Sequence, residues 1–268
     1  MSAKVTVYMP VYNGADFIER AIKSVLKQTY KNISLIISDN NSSDETILIV
    51  SKYLSDKRVT LYRQTTNIGA LKNGNYLLDK IGTDYFLGLC HDDFLYDDNA
   101  IEVGLGILES RPEVAVVYSN MMFIDKNDRP IKQHKYEFKG LVESNIVAKK
   151  SIIRCRNLYG MPVLVRTSSL RGFRHSKGLF YTADVDFSIS VGKDHNIYYV
   201  PEILFAVRFH ANNNTARNYS IFIEEFKRLA IRHNIKLSKT ELFQMNINHL
   251  ITVFKKYLFY FYLDNIRR

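Results

Sequence analysis

Residues 4–46 read KVTVYMPVYNGADFIERAIKSVLKQTYKNISLIISDNNSSDET, and this stretch decides the fold. It begins with KVTVYM (4–9) and approaches its end with ISLIIS (33–38), two short β-branched and aromatic runs typical of buried strands. Between the two runs, apolar residues recur at the spacing of one helix face, at Phe17, Ile18, Ala21, Ile22, Val25 and Leu26. A strand, a helix and a strand in this order predict a βαβ unit and a parallel sheet.

The same alternation continues through the first 120 residues. RVTLYR (58–63) and DYFLGL (84–89) are further strand-like runs, and helical patterns separate them. Ser42 followed by Glu45 has the pattern of a capping box, which predicts a helix that begins there and runs toward Leu54. This half of the chain therefore predicts a largely parallel sheet flanked by helices.

The alternation weakens after about Pro112. VAVVYS and MMFID predict two strands, and the polar, irregular region 131–156 predicts a variable loop or hairpin. MPVLV is another apolar run, FYTADVDFSISV (180–191) predicts a helix, and YYVPEILFAVRFH (198–210) predicts extended chain. From about Tyr219 the pattern is helical to the end.

Length and composition limit the class of protein. A chain of 268 residues with 46% hydrophobic content can form one large domain, or a domain with an appendage. Two cysteines without ligand-like spacing, Cys90 and Cys155, disfavour a disulfide framework and a zinc site and predict a reduced, cytoplasmic setting. The sequence has no signal-peptide pattern and no window near the roughly 18 uninterrupted apolar residues of a membrane-spanning helix.

The net charge of +10 is concentrated near the C-terminus. Residues 216–268 hold ten Lys or Arg and four Asp or Glu, a net charge of +6, and the first 215 residues hold the remaining +4. A basic protein can bind nucleic acid, but this sequence has no recognisable nucleic-acid-binding motif and its larger part is nearly balanced. We therefore expect no nucleic-acid partner.

Polar and turn-forming residues stand where each predicted strand ends. Because ligands of parallel α/β sheets bind beyond the carboxyl ends of the strands, these residues predict one shared crevice. They are Pro10, Val11, Tyr12, Asn13 and Gly14 after the first strand, residues 39–44 after the second, Asn67 and Gly69 after the third, and Cys90, His91, Asp92 and Asp93 after the fourth.

Six segments of the chain resemble family 2 glycosyltransferases, nucleotide-sugar-dependent enzymes with the GT-A fold. In chain order, over roughly residues 4–215, they are VYMPVYNGADFIERAIKSVLKQTY, ISDNNSSDET, NIGALKNGN, LCHDDFL, YTADVDFSISV and VRFHANNNT. The resemblance implies an α/β, GT-A (Rossmann-like) fold with a mixed, mostly parallel sheet flanked by helices and a C-terminal helical extension.

The resemblance and the charge distribution together predict how the chain is divided. A GT-A domain would cover residues 1–215, with a nucleotide-binding half (1–120) and an acceptor-binding half (121–215). A basic, aromatic-rich helical tail would follow over residues 216–268. Acceptor choice is expected within residues 125–180, where the resemblance is thinnest.

The resemblance assigns a donor-binding role to residues at the strand ends. Asp39 stands where the family recognises the nucleotide base, Tyr12 can offer a stacking face, and Lys72 can add positive charge near the nucleotide. A turn or helix-start role is the alternative for Asp39. The whole predicted donor-binding set is Pro10, Val11, Tyr12, Asn13, Asp39, Asn67, Gly69, Lys72, His91, Asp92 and Arg208.

The same resemblance predicts a divalent cation, Mn²⁺ or Mg²⁺, held by carboxylates. The family motif is Asp, any residue, Asp, and here Cys90 replaces its first Asp, so that Asp92 becomes the main expected ligand. Asp93 can bind the same cation only if the chain turns here, because neighbouring side chains in extended chain point to opposite sides. Cys90 is expected to be a buried strand-end residue, since a soft thiolate suits these cations poorly. His91 is expected to act as a spacer rather than as a ligand.

The catalytic base of an inverting enzyme must accept the proton of the acceptor hydroxyl. ADVDF (183–187) resembles the family segment Glu-Asp-x-Asp, which places Asp184 at the base position and Ala183 where Glu is common. A solvated helix residue is the alternative for Asp184. Asp186 cannot share its helical face, so a polar or capping role and a functional one both stay open.

Alternation along the last predicted extended segment would place Arg208 and His210 on one side of it. In the family this Arg-x-His pattern lies near the diphosphate, where the histidine can complete the metal shell or contact phosphate. The predicted metal ligands are therefore Asp92, Asp93 and His210. A purely structural histidine at the end of a strand is the alternative.

The tail segment FQMNINHLITVFKKYLFYFYL (243–263) holds seven Phe or Tyr and two lysines. It can pack as a core helix, mediate oligomerisation, or lie in a membrane interface with its lysines at the headgroups. A cytoplasmic location, with peripheral contact at the inner face of the cell membrane through this tail, is compatible with the third alternative.

The expected activity is metal-dependent, inverting transfer of a sugar from a nucleotide-sugar donor to a hydroxyl of a growing glycan. A UDP-linked donor, a glycan or lipid-linked glycan acceptor, and a bacterial lipopolysaccharide or capsule role fit the pattern. One rival is a sugar nucleotidyltransferase, which would need a glycine-rich basic loop after the first strand, and PVYNGADF lacks it. The other is a non-catalytic nucleotide-sugar or glycan-binding module, which Cys90 and Ala183 keep open.

Overall fold

The computed structural model describes residues 4–209 and 220–266, and a ten-stranded sheet forms its centre. The first part comprises β1 (Val5–Val11), α1 (Ile18–Leu26), β2 (Ile33–Asp39), α2 (Thr46–Ser51), β3 (Val59–Arg63), α3 (Ala70–Leu78), β4 (Tyr85–Gly88) and β5 (Phe94–Leu95). The second part comprises α4 (Ala100–Ser110), β6 (Val114–Ile124), β7 (Pro130–His134), β8 (Gly140–Glu143), α5 (Ser144–Ile153), β9 (Pro162–Arg166), α6 (Ala183–Gly192), β10 (Asn196–Arg208), α7 (Ser220–Arg232) and α8 (Lys239–Ile266).

Six of the ten strands point the same way. β3, β2, β1 and β4 lie side by side in parallel, and β6 and β10 form a second parallel pair. β9 lies antiparallel between β4 and β6 and joins the two groups. β5, β7 and β8 are short strands that pair antiparallel with β10 or β6. The mixed, mostly parallel sheet predicted from the sequence is therefore confirmed.

The two faces of the sheet bury separate apolar clusters. Alternation along β1 sends Val5, Val7 and Met9 into one cluster and Tyr8 into the other. α1 and α4 cover the first face, whereas α3, α5, α6 and α7 cover the second. Each large side chain buried in this way contributes about 1.5–3 kcal/mol, so the helices are held on the sheet mainly by apolar burial.

The capping box predicted at Ser42 and Glu45 is wrong. α2 begins only at Thr46 and ends at Ser51. The Ser42 hydroxyl accepts the backbone N–H of Asn13 instead (2.9 Å), and an Asp44 oxygen accepts the N–H of Thr46 (3.0 Å). The polar run after β2 therefore holds the neighbouring loop rather than extending a helix.

The region 131–156, predicted as a loop or hairpin, is more ordered than expected. β7 does form a hairpin with β6, which is one continuous strand where two were predicted. α5 was missed because its buried residues, including Val147, Ala148 and Ile152, stand among lysines and give a weak periodic signal.

The two C-terminal helices pack partly on the domain. Phe226 of α7 and Met245 of α8 belong to the second apolar cluster. Phe243, Leu250 and Phe254 of α8 remain 66%, 67% and 63% exposed. In the described part of the chain, no helix combines the length and the apolar character needed to cross a membrane.

Candidate active site

A cleft of about 760 Å³ opens at the carboxyl ends of the parallel strands. This is the position that the strand-end residues predicted. Its wall combines segments that lie far apart in the sequence: Pro10 and Val11 at the end of β1, Tyr12 and Asn13 after it, Asn40 after β2, Asn67 after β3, Cys90, His91 and Asp92 after β4, and Phe180, Tyr181, Ala183 and Asp184 around the start of α6.

The loop after β1 is held by the loop after β2. Asn13 adopts a left-handed backbone conformation (φ 48°), and its side-chain oxygen accepts the backbone N–H of Ser43 (2.9 Å). The next N–H, from Gly14, is donated to the Thr46 hydroxyl (2.8 Å). These bonds fix the floor of the cleft and leave the Tyr12 ring about half exposed within it.

Asp39 is completely buried at the end of β2, next to Val11 in the parallel register. One carboxylate oxygen accepts the N–H of Ser42 (3.1 Å), so the predicted turn role is present. The other oxygen, Oδ1, is buried and has no hydrogen-bond partner. Buried carboxylate oxygens are seldom left in this state, and a ligand N–H donor would satisfy this one.

A pair of asparagines joins the ends of β2 and β3. Asn40 donates to the Asn67 side chain (2.9 Å), and the Asn67 oxygen also accepts the N–H of Gly69 (2.9 Å). Gly69 precedes α3 with a φ of 87°, a conformation that favours glycine. Lys72 is exposed on the first turn of α3, and neither it nor Gly69 is among the residues that line the cleft. Asn40 belongs to the predicted strand-end residues, but it was left out of the predicted donor-binding set.

The segment after β4 forms the turn that Asp93 requires. The N–H of Asp93 is donated to the carbonyl of Cys90 (3.2 Å), which closes the turn. One ligand atom each of Cys90, Asp92 and Asp93 then lies within 4.8 Å of the others. The prediction that Cys90 is buried is wrong: β4 ends at Gly88, so Cys90 lies exposed on the cleft wall.

The two carboxylates in this turn have different surroundings. Asp92 is half-buried and lines the cleft, whereas Asp93 is buried and accepts the backbone N–H of Arg208 (2.9 Å). Burial and the charge of Asp92 raise the pKa of Asp93 well above its ordinary value, against the opposing effect of Arg208. Desolvation by the surrounding protein and the charges of the nearby carboxylates also raise the pKa of the Cys90 thiol, although the residue as a whole lies exposed on the cleft wall.

The donor set of the turn fits a hard divalent cation. Carboxylate oxygens are the preferred ligands of Mg²⁺ and Mn²⁺, and Asp92 and Asp93 offer them from one side of the cleft. His91 lines the cleft and packs so closely on Gly14 that a Cβ there would lie 2.5 Å from its ring. His210, the third predicted ligand, lies outside the described residues.

Arg208 lies behind the turn and is only 2% exposed. Its guanidinium donates to the carbonyl of Asp92 (2.9 Å) and pairs with the carboxylate of Asp128 (2.6 Å). It also stacks over the ring of Phe17 at 4.6 Å. These contacts give Arg208 a supporting position beneath the carboxylate turn, and it is not among the residues that line the cleft.

Asp184 lies in the first turn of α6 and lines the same cleft as Asp92. The side chain of Asn157 donates a hydrogen bond to its carboxylate (2.6 Å). Desolvation by the surrounding protein raises the pKa of Asp184, although the bonds from Asn157 and from the N–H of Val185 oppose this rise. Asn157 was missed because nothing in its local sequence points to the cleft.

Asp186 has a structural role. It is completely buried, accepts a hydrogen bond from His233 (2.7 Å) and forms an ion pair with Arg232 (3.0 Å) at the end of α7. The polar role left open for Asp186 is therefore the one observed among the described residues.

A carboxylate of α7 holds the start of α6. Glu225 is buried and accepts the backbone N–H groups of Phe180 (3.1 Å), Tyr181 (2.8 Å) and Thr182 (2.9 Å). An anion at a helix N-terminus satisfies N–H groups that have no partner within the helix. Glu225 thereby fixes the turn that carries Asp184. The sequence offered no signal for it, because it reads as one of two acidic residues on an amphipathic helix.

We expect Glu225→Ala to lower the free energy of unfolding by about 3 kcal/mol, because it leaves several buried N–H groups without an acceptor. Urea denaturation would measure the loss. Glu224→Ala is the matched control, since Glu224 is exposed and pairs only with Lys227 on the same helix (2.7 Å) among its described contacts. Equal stability of the two variants would contradict the role assigned to Glu225.

Two relatives of known sequence are similar to this chain. An uncharacterized glycosyltransferase of Rickettsia prowazekii (strain Madrid E) is 32% identical over 248 residues, which are 90% of this chain and 74% of that protein. The Escherichia coli UDP-Glc:alpha-D-GlcNAc-diphosphoundecaprenol beta-1,3-glucosyltransferase WfgD is 32% identical over 123 residues, 46% of this chain and 47% of that protein.

Two solved structures share the fold. Staphylococcus aureus TarS 1–349 in complex with UDP-GlcNAc superposes with a TM-score of 0.67 at 16% identity, over 91% of this chain and 79% of that one. Mannosyltransferase PcManGT from Pyrobaculum calidifontis, in complex with GDP-Man and Mn²⁺, superposes with a TM-score of 0.59 at 12% identity. The match covers 97% of this chain and 83% of that one. The predicted GT-A-like fold is confirmed. The model of glycosyl transferase family 2 matches residues 6–178, and the chain, a glycosyltransferase, belongs to that family.

Proposed function

We propose that this glycosyltransferase moves a sugar from a UDP-linked donor to a hydroxyl of a growing glycan, with inversion and with a divalent cation. The observation that carries the proposal is the arrangement of one cleft, in which Asp184 and the carboxylate turn at Asp92 both face the same space. Transfer from a nucleotide sugar needs positive charge at the leaving diphosphate and a base near the anomeric carbon that takes the proton of the acceptor hydroxyl. The carboxylate turn would hold a cation for the first need, and Asp184 would serve the second.

Donor recognition is proposed for the β1 and β2 ends. The unsatisfied Oδ1 of Asp39 can accept the imide N–H of uracil, and the half-exposed Tyr12 ring can stack on the base. Because Asp39 is closed off from the cleft in this structure, binding requires a small movement of the residues around it. Complexes of TarS with UDP-GlcNAc and of PcManGT with GDP-Man support a nucleotide-sugar donor, and the uracil contact favours UDP.

The leaving diphosphate requires charge compensation. A divalent cation, when bound, neutralises negative charge on the leaving group without a proton transfer. Asp92 and Asp93 are the described residues that would hold Mn²⁺ or Mg²⁺, and His210 is proposed as a further ligand. Arg208 would keep the turn in place through its bond to the Asp92 carbonyl.

Asp184 is proposed as the base. Its carboxylate would accept the acceptor hydroxyl proton while that oxygen attacks the anomeric carbon from the side opposite the diphosphate, which inverts the configuration. The bond from Asn157 restricts the orientation of the carboxylate.

The acceptor is proposed to be a lipid-linked glycan of bacterial lipopolysaccharide or capsule type. The name of the E. coli relative specifies a diphosphoundecaprenol-linked acceptor, which supports this class. We further propose that residues 121–215 form the acceptor-binding half and that 216–268 form a tail whose two helices pack partly on the domain. The exposed Phe243, Leu250 and Phe254 of α8 and the basic charge of that tail support peripheral contact at the inner membrane surface.

UDP binding and donor turnover test the proposal. We expect calorimetry to detect UDP binding to the wild type, and Asp39→Asn to weaken it by about tenfold through loss of a charge-assisted hydrogen bond. Incubation with UDP-, GDP- and dTDP-sugars, with Mn²⁺ or with EDTA, should give metal-dependent release of UDP from one donor. Nucleotide-sugar binding without turnover on any acceptor would instead favour a binding module, and absence of UDP binding would contradict the proposal.

The rate of transfer should fall as the pH decreases through a value above 3.8, the ordinary pKa of aspartate. Asp184 must be deprotonated to act as a base, and its raised pKa moves protonation to higher pH. The test is kcat measured against pH with saturating donor and acceptor, together with UDP affinity over the same range as a control. If kcat begins to fall only at or below pH 3.8, a carboxyl group with a raised pKa does not control the transfer step.

A further inference from the structure

A row of four aromatic rings runs from the end of β10 across β6 and β7 to Tyr136. The ring of Phe209 packs on Phe123 (centroids 4.9 Å apart), Phe123 on His134 (5.6 Å), and His134 on Tyr136 (4.6 Å). Phe209 is 47% exposed, and its neighbours in the row come from the β6–β7 hairpin. Aromatic faces of this kind are suited to packing against sugar rings.

The row begins close to Asp184. Gly160, with a φ of 89°, approaches the Tyr136 hydroxyl so closely that a Cβ at this position would collide with it. The N–H of Gly160 is donated to the Asn157 side-chain oxygen (3.1 Å), and the Asn157 nitrogen bonds to Asp184 (2.6 Å). A sugar lying on the aromatic row would therefore reach the proposed base at the Tyr136 end.

Two cations flank this row. Arg156 is exposed and directly precedes Asn157, and Lys132 is exposed on β7 two residues before His134. In the described part of the chain, neither side chain makes a hydrogen bond or an ion pair, whereas nearby Arg154 pairs with Glu137 (2.8 Å). The pKa of His134 is lowered by burial and by the charges of Arg156 and Lys132, which is consistent with both cations lying near its ring.

The charge around the row is strongly positive. Residues 126–156 hold nine Lys or Arg and three Asp or Glu. Arg156 and Lys132 are not among the residues that line the donor cleft, where Asp92 and Asp93 would serve the donor diphosphate through a cation. A second anionic group is therefore expected on the acceptor. Guanidinium groups bind phosphate through paired hydrogen bonds, which makes phosphate the anion that fits best.

We propose that the surface formed by Phe123, Lys132, His134, Tyr136 and Arg156 is an acceptor subsite for a phosphate-bearing glycan. Its sugar packs on the aromatic row, and its phosphate is bound by Arg156 and Lys132. This inference rests on the proposed function, because it takes Asp184 as the base that the acceptor hydroxyl must reach. The phosphate can belong to a lipid-linked diphosphate or to a soluble phosphorylated glycan, and the chemistry of recognition is the same.

The test compares three probes by calorimetry in the presence of UDP: an alkyl hexosyl diphosphate, the same hexosyl diphosphate without the alkyl chain, and a neutral alkyl glycoside. We expect the 268-residue chain to bind both diphosphates about tenfold more tightly than the neutral glycoside, as for charge-assisted hydrogen bonds. Similar affinity for the two diphosphates indicates that the phosphate is recognised. If only the diphosphate that carries the alkyl chain binds more tightly than the neutral glycoside, the alkyl chain and not the phosphate is recognised, and the proposal is overturned.

Variants assign the effect to the two cations. Arg156→Ala and Lys132→Ala should each lower the affinity for the diphosphate probes about five- to tenfold and leave the affinity for the neutral glycoside unchanged. Arg156→Lys should retain part of the affinity for the diphosphate probes, because it keeps the positive charge. Lys57→Ala is the matched control, because Lys57 is exposed just before β3, at the opposite edge of the sheet. Unchanged diphosphate binding in Arg156→Ala, or no binding of any phosphate probe to the wild type, overturns the proposal.

UDP binding separates this proposal from the proposed function. Arg156→Ala and Lys132→Ala should bind UDP as the wild type does, because neither side chain lines the donor cleft. If the wild type does not bind UDP, the donor assignment fails, while the phosphate preference can still be measured without UDP. If UDP binds and the diphosphate preference is absent, only the acceptor subsite fails.

Discussion

Replacing Asp184 by Asn should lower kcat for transfer about a thousandfold, within the range observed when a general base is removed. Asparagine keeps the shape of the side chain and an oxygen that can accept the bond from Asn157 (2.6 Å in the wild type). It removes only the ability to take a proton. UDP affinity should stay unchanged, because the proposed base contacts acceptor rather than nucleotide. The measurement is the steady-state rate of UDP release with acceptor present.

Asp194→Asn provides the matched control for this prediction. Asp194 lies just beyond the other end of α6, is exposed, and pairs with Arg171 at the surface (3.1 Å). This variant should retain wild-type kcat. If Asp184→Asn transfers sugar at the wild-type rate, Asp184 is not the base, and the solvated-residue alternative holds instead.

Replacing Asp92 by Asn should weaken Mn²⁺ binding at least about tenfold and lower the rate of UDP release with it, because a hard cation loses a charged oxygen ligand. Asp92 is the half-buried member of the carboxylate pair that lines the cleft, and its contact with Arg208 uses the backbone carbonyl, which the substitution preserves. The loss should therefore concern the metal and not the fold. Electron paramagnetic resonance of free Mn²⁺ during titration measures the affinity directly.

Asp98→Asn is the control for the metal prediction. Asp98 is exposed six residues further along, just before α4. It should bind Mn²⁺ as the wild type does. Mn²⁺ affinity that is equal in Asp92→Asn and in the wild type would contradict the assignment of this turn as the metal site.

The positions of the site residues were largely predictable because they follow buried strands. Parallel strands must end at a common edge, so Asn13, Asn67 and Asp92 could be expected near one another, and the structure places all three around one cleft. Cys90 shows the limit of this reasoning. When a strand ends one or two residues before its apolar run does, the side chains that follow point into the cleft and not into the interior. The periodicity of the sequence does not reveal where the strand ends.

The residues that were missed act through contacts between distant parts of the chain. Glu225 binds the N–H of Thr182 across 43 positions. Asn157 bonds to Asp184 across 27. None of these partners has a local pattern, because a buried polar residue is selected by the group that it meets in space.

By itself, the sequence determined the alternation of strands and helices, the mostly parallel sheet, and the edge at which ligands bind, because these depend on local periodicity and chain connectivity. Only the tertiary structure decided how the individual groups are used. It left Asp39 with one unsatisfied oxygen, buried Asp93 while Asp92 stayed half-buried on the cleft wall, and placed Glu225 under the turn of Asp184. Burial, hydrogen bonding and charge at these groups are set by neighbours that come together only when the sheet and its covering helices have packed.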